Sequence, residues 1–90
     1  MYYNKISGVH ASALIHGISA EDALAAAQNC LMILDLDHSN SGRELRLGFD
    51  TRGRLLEIVV VTFSDDRRLI IHSMKARKLY RSLIPKGRQR

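Results

Sequence analysis

Apolar and polar positions repeat along this chain with two different periods, and the change of period marks out its elements. Near the start, Val9, Ala13 and His16, with Leu14, form a thin stripe at helical spacing, and Gly17 offers a stop, so a short helix is expected within residues 1–18. Ser19 then looks like an N-cap: its hydroxyl can accept from the N3 amide, and Glu21 and Asp22 place two carboxylates at the positive end of the helix dipole. Asp22 stands where a capping box carries Glu or Gln. Residues 20–28 are rich in strong helix formers, with Ala23, Leu24 and Ala27 able to face a core, and Asn29 is a natural exit.

Beyond Asn29 the period becomes two. Residues 31–36 read as a short strand, and residues 38–42 as a turn cluster. Over 43–49, Leu45, Leu47 and Phe49 share one face while Glu44 and Arg46 share the other, the alternation of a half-buried antiparallel strand. After a turn at 50–53, residues 55–63 are the most apolar and β-branched stretch, with Glu57 its single charge, so this is the expected central strand. A turn at 64–66 leads to a fourth strand over 67–73 carrying Leu69, Ile70 and Ile71. Residues 74–84 read as a helix with Ala76, Leu79, Tyr80 and Leu83 inward, Lys75, Lys78 and Arg81 away from that stripe, and Arg77 on its flank. Pro85 ends it before a basic tail. The expected fold class is α+β: two N-terminal helices, a four-stranded antiparallel sheet and a C-terminal helix, with the helices covering one face. All 90 residues form one domain, with residues 1–8 and 85–90 expected to be flexible.

Composition sharpens this picture through its charge. At 46% hydrophobic and 26% charged residues the chain has the make-up of a globular domain with a modest core, and a partner covering part of its surface fits so short a chain. The net charge is +5, and it is unevenly spread: from Arg67 onward there are nine basic residues and no acidic one, whereas residues 1–66 hold five basic and nine acidic. A basic module on a slightly acidic body favours a polyanionic or acidic partner over a small neutral ligand. One cysteine, Cys30, excludes an intramolecular disulfide framework and a Cys-rich zinc site, as suits a reducing compartment. No signal peptide or lipidation motif is read, and the apolar runs are too short to span a bilayer, so no membrane role is expected and the cytoplasm is the expected location.

The stretch 72–81 is the leading candidate for chemistry. It passes from a strand end into a helix, where amides and cations can converge on an anion and Tyr80 offers a ring or a hydroxyl. The same run also fits a solvated helix face with Tyr80 in the core, and an acidic protein partner would satisfy it as well as RNA. His72 can serve as general acid or base, or as a structural histidine at a strand end; strict alternation sets it on the side of Arg68 and Ile70. His38, with Asp35 and Asp37, has no metal-site spacing, and no metal or other cofactor is expected. His10 and His16 are too far apart to share a helical face, and His16 suits a helix end. Among Arg43, Arg46, Arg52 and Arg54, an outward Arg46 would extend the basic surface across the sheet; Glu44 either pairs with a neighbouring cation or accepts a proton. Cys30 reads as a small hydrophobe. There is no Ser-His-Asp signature, phosphate-binding glycine loop or paired-carboxylate pattern.

Four motifs together resemble a known family: His-Gly-Ile-Ser-x-Glu-Asp at 16–22, Gly-Arg-Glu at 42–44, the Gly-Phe-Asp-Thr-Arg-Gly-Arg-Leu-Leu hairpin at 48–56, and Ile-His-Ser-Met-Lys-Ala-Arg-Lys at 71–78. Over residues 10–84 the chain is similar to the BrnT-like toxins, small RelE-superfamily ribonucleases of bacterial type II toxin–antitoxin pairs. The resemblance implies a RelE-like fold, RNA cleavage, growth arrest, and neutralisation by an acidic, DNA-binding antitoxin in a toxin–antitoxin hetero-oligomer. By position, the family's basic residue after its last strand falls on Lys75, with Arg77 and Lys78 following; its strand-opening arginine falls on Arg43 and its His before Gly on His16. Ile15 stands where a Lys is common, and the chain has no Trp for the usual Trp-Asp element. Metal-independent cleavage by a ribose 2′-hydroxyl would then use Lys75, Arg77 and Arg43 for charge stabilisation and His72 or Glu44 for proton transfer. Arg46, Arg68, Lys78, Tyr80 and Arg81 would hold the RNA. Two other classes fit the same residues: a non-catalytic module holding nucleic acid or an acidic antitoxin helix, and a domain that dimerises through sheet edges or its N-terminal helices.

Overall fold

Ser19 starts the main helix as its residue type requires. Its hydroxyl accepts the Asp22 amide at 3.1 Å, and helix α1 runs over Ala20–Gln28 in a computed structural model that describes residues 6–36 and 42–84. Ala23, Ala26 and Ala27 are buried together with Asp22, so the inward face of α1 is nearly smooth and the helix settles close on the sheet. Gly48 completes the fit: a Cβ there would collide with the Ala26 carbonyl oxygen and crowd the Cys30 Cα.

The sheet differs from the expected four antiparallel strands. Strands β2 (Cys30–Asp35), β3 (Arg43–Phe49), β4 (Leu55–Thr62) and β5 (Arg68–Lys75) follow one another antiparallel, but β1 (Gly8–Val9) adds a fifth, parallel to β5, giving the order β1-β5-β4-β3-β2. Among the described residues the fold is therefore a five-stranded mixed sheet with one α-helix of nine residues and one of four, and the three-helix, four-stranded architecture is corrected on both counts.

Each departure has a local cause. Where a first helix was expected, Ser7 donates its amide to the Arg68 carbonyl at 2.7 Å and His10 donates to Ile70 at 2.8 Å, so the chain pairs with the open edge of β5. Only Ala11–Leu14 then coils, as a 3-10 turn capped by the His10 side chain, and Ile6, Ala13 and Ile18 are buried. At the other end, Met74 and Lys75 stay in the sheet opposite Glu57 and Leu56. Ala76 donates to the Leu55 carbonyl and Arg77 to the Glu57 side chain, which holds Arg77 extended and delays helix α2 to Lys78–Arg81. Of the expected inward stripe, Leu79 is 70% exposed and Leu83 also faces out, while Ile84 is buried in their place. The basic tail, the turn residues 38–41 and residues 1–5 lie outside the described residues.

The sheet has an apolar cluster on each face. Leu56, Ile58, Val60 and Ile70 meet α1 and the 3-10 turn on one; Leu45, Leu47, Ala76 and Ile84, with Leu55, Val59 and Tyr80, form a smaller one on the other. The β4–β5 register shifts between Val59 and Val60: Val60 faces Ile70, but Val59 faces His72, so Ile71 is the extra residue of a bulge. Ser12 caps that irregularity, donating its hydroxyl to the Ile71 carbonyl at 2.9 Å.

Candidate functional site

The bulge decides where His72 goes. Strict alternation would put it beside Ile70 beneath α1; one extra residue moves it to the opposite face, next to Glu57 and Val59. There it meets a carboxylate that the chain has buried in its central strand.

Glu57 is 1% exposed, a costly place for a charge unless its lone pairs are filled. Four donors fill them. The Arg77 backbone amide and Nε reach Oε1 at 3.0 Å each, Arg77 Nη2 reaches Oε2 at 2.9 Å, and His72 Nε2 lies 3.0 Å from Oε2. Burial pushes the Glu57 carboxyl up, but the Arg77 and His72 hydrogen bonds outweigh it and hold the group below the ordinary glutamate range. An ionised carboxylate only accepts hydrogen bonds, so His72 Nε2 must carry the proton, and in the neutral ring Nδ1 is the nitrogen left to take one.

The Arg77 side chain is 60% exposed, and its guanidinium lies over the Tyr80 ring, 5.5 Å from the centroid. Its hydrogen bonds and attraction to Glu57 raise its already high pKa, so it is a permanent cation. These groups, with Arg43 at the start of β3, line a groove of about 320 Å³ floored by Leu45 and Val59. At the β5 side, the His16 ring meets His72 edge-on with centroids 5.5 Å apart. The arrangement offers oriented cations, a fixed imidazole and a second imidazole beside it: it can hold an anion and move protons.

Of the residues singled out in the sequence, His72, Arg77, Arg43 and Tyr80 come together here. Others do not. Glu44 and Arg46 lie on the α1 face, where Arg46 is 1% exposed and donates to Glu44 at 2.6 Å and to the Ala27 carbonyl at 3.0 Å. The outward Arg46 is thereby corrected: its guanidinium closes the C-terminal end of α1 instead of widening a basic surface. Arg68 stands opposite Thr62 of β4 and its amide donates to the Ser7 hydroxyl on the other side of β5, with its side chain on the face away from the groove. Lys78 is exposed at the start of α2. Lys75 and Arg81 line a separate groove at the end of the sheet. Arg67 is occupied by Asp65 at 2.8 Å and stacks over Phe63. The single basic module of the sequence is thus divided among several places, and Lys86, Arg88 and Arg90 fall outside the described residues.

Sequence reasoning missed Glu57 as a participant, and it named His16 through the resemblance without placing it beside His72. Glu57 was visible only as the one charge in an apolar strand, a pattern that demands a buried cationic partner; the meeting of His16 with His72 left no local signal. Burial raises the Cys30 thiol above its usual pKa, consistent with a small hydrophobe. Among the described residues no group of three His, Cys, Asp or Glu gathers to hold a metal, and no helix is long and apolar enough to cross a membrane; His38 and Asp37 lie outside them. No family model, curated protein or solved structure matches this chain.

Proposed function

We propose that this protein cleaves single-stranded RNA in the Glu57 groove without a metal, as a toxin-type endoribonuclease of the BrnT-like class that its motifs resemble. The observation that carries the reading is the His72 imidazole standing on a buried, ionised Glu57 beside exposed Arg77 and Arg43. Glu57 fixes the ring and its tautomer, so Nδ1 can take the proton from a ribose 2′-hydroxyl as that oxygen attacks the adjacent phosphorus. The P–O2′ bond forms as the P–O5′ bond breaks, leaving a 2′,3′-cyclic phosphate and a 5′-hydroxyl. Arg77 has five side-chain N–H donors, of which Glu57 takes two, so three remain for the phosphate oxygens as charge builds on them. His16, adjacent to His72, is the group positioned to protonate the departing 5′-oxygen. Glu44, on the opposite face, has no part in this chemistry. The matching biological reading is growth arrest in the cytoplasm, relieved by an acidic antitoxin bound over the same cations.

A second reading, a module that holds RNA or an acidic antitoxin segment without cutting, is favoured by one observation: Glu57 offsets the charge of the groove's best-placed cation. Labelled single-stranded RNA incubated with the protein in EDTA separates the two. The enzyme shortens it to products ending in cyclic phosphate. His72→Ala is expected to lower the rate by about 10²–10⁴-fold, and Arg43→Ala by about 10²–10³-fold, or roughly 2–4 kcal/mol of barrier. A mobility shift with no shortening, or a rate indifferent to His72→Ala, establishes the binding module instead.

A further inference from the structure

We propose that the second groove, at the end of the sheet below α2, is a nucleotide subsite that takes the phosphate and base next to the one held in the Glu57 groove; this rests on the reading of that groove as the place where RNA lies. The second groove measures about 270 Å³ and is lined by Lys75, Arg54 and Arg81 with Phe49, Leu55 and Ala76. Three cations and no carboxylate face it among the lining residues.

Arg54 is held for such a task. Its Nε donates to Asp50 at 2.7 Å and its Nη2 to Asp22 at 3.3 Å, both carboxylates lying buried behind it, so the guanidinium is oriented while its remaining N–H groups stay available. Lys75 ends β5, exposed, and no carboxylate of the described residues pairs with it. Phe49 and Leu55, opposite each other across β3 and β4, supply the apolar wall that a base requires, and the aromatic face of Phe49 is a stacking platform that tolerates any base. Gly53, at φ +78° in the β3–β4 turn, has open space where a side chain would stand, so the rim stays low.

The two grooves adjoin. Arg77 and Tyr80 line the first and Ala76 and Arg81 the second, so adjacent residues of one short stretch serve both grooves. Lys75 and Arg77 are separated by at most roughly 7 Å along the backbone, close enough for one strand to meet both. A charge division that looked like dispersal of the basic module thereby becomes a two-step track for a polyanion.

The test uses the whole protein and a fluorescein-labelled 2′-O-methyl tetranucleotide, which cannot be cleaved by its own ribose. Binding is followed by anisotropy across salt. Lys75→Ala/Arg81→Ala is expected to weaken binding at least tenfold at low salt, and to reduce the slope of log K against log salt by about 0.7, the loss of one phosphate contact on a single strand. Phe49→Leu, which keeps the apolar wall, is expected to weaken binding at least fivefold with the slope unchanged. Affinity and slope unaltered in the double variant overturn the subsite. Cleavage of unmodified RNA is scored separately: no cleavage with the slope change present removes the catalytic reading and keeps the subsite, whereas cleavage with the slope unchanged removes the subsite alone.

Discussion

Arg77 and Glu57 depend on each other unequally. Glu57 is enclosed, while Arg77 reaches solvent, so removing the arginine strands a buried carboxylate whereas removing the acid leaves a cation that water can solvate. Glu57→Gln is expected to lower stability at pH 7 by about 1 kcal/mol, and Arg77→Ala by more than that because it leaves the enclosed carboxylate short of donors, both read from urea unfolding. The pH dependence has a fixed sign. The folded Glu57 carboxyl, pushed up by burial but brought down further by Arg77 and His72, titrates below its unfolded value of about 4.3. Its stabilisation is therefore complete above that value and disappears as pH falls through the lower folded value, because the unfolded chain then binds the proton first. The stability gap between wild type and Glu57→Gln should be constant above pH 5 and narrow as pH falls below about 4.3, which the same unfolding curves check. Asp22, lowered by its Thr51 and Ser19 hydrogen bonds against burial, contributes with the same sign.

At the scale of elements, α1 and β3 approach so closely that position 48 has no room for a side chain. Gly48→Ala drives a methyl group into the helix backbone at Ala26, and a loss of about 3 kcal/mol is expected, with the shift in denaturation midpoint as its measure. Ser19→Ala removes the cap that starts the same helix and should cost about 1 kcal/mol by the same assay. The α1 start and the bounds of β3 were legible because their signals are local: a hydroxyl three residues before an amide, and apolar residues every second position. The β1 pairing and the short α2 were not. Gly8 and Val9 become a strand only because β5 offers an open edge sixty residues later, and residues 74–77 stay extended because Glu57, far back in the chain, captures the Arg77 amide. Helical spacing of Ala76, Leu79, Tyr80 and Leu83 was real in the sequence, but tertiary contacts took hold of the segment first.

Across the whole molecule, the sheet is clad on one face by α1 and the 3-10 turn and on the other by the segment 76–84, while its β2 margin bears Leu31 and Ile33 exposed. An edge strand with apolar side chains and no lysine invites pairing with another chain. Ile33→Lys is expected to raise the concentration at which the protein associates, in high salt as well as low, as light scattering would record.

The sequence alone determined the period changes, the capped helix, the alternating strands and the excess of positive charge toward the C-terminus, since each depends on residues a few positions apart. It also held the residues of the groove, His72, Arg77, Arg43 and Tyr80, and the resemblance grouped three of them, but together with Lys75 and Glu44, which the groove does not include. Their meeting was decided by tertiary structure: one bulge residue, Ile71, turned His72 to the other face, and the need to satisfy a buried carboxylate drew Arg77 across to it. Local chemistry sets which conformations a segment prefers; only the folded sheet sets which of its two faces a side chain is on, and which distant group completes its hydrogen bonds.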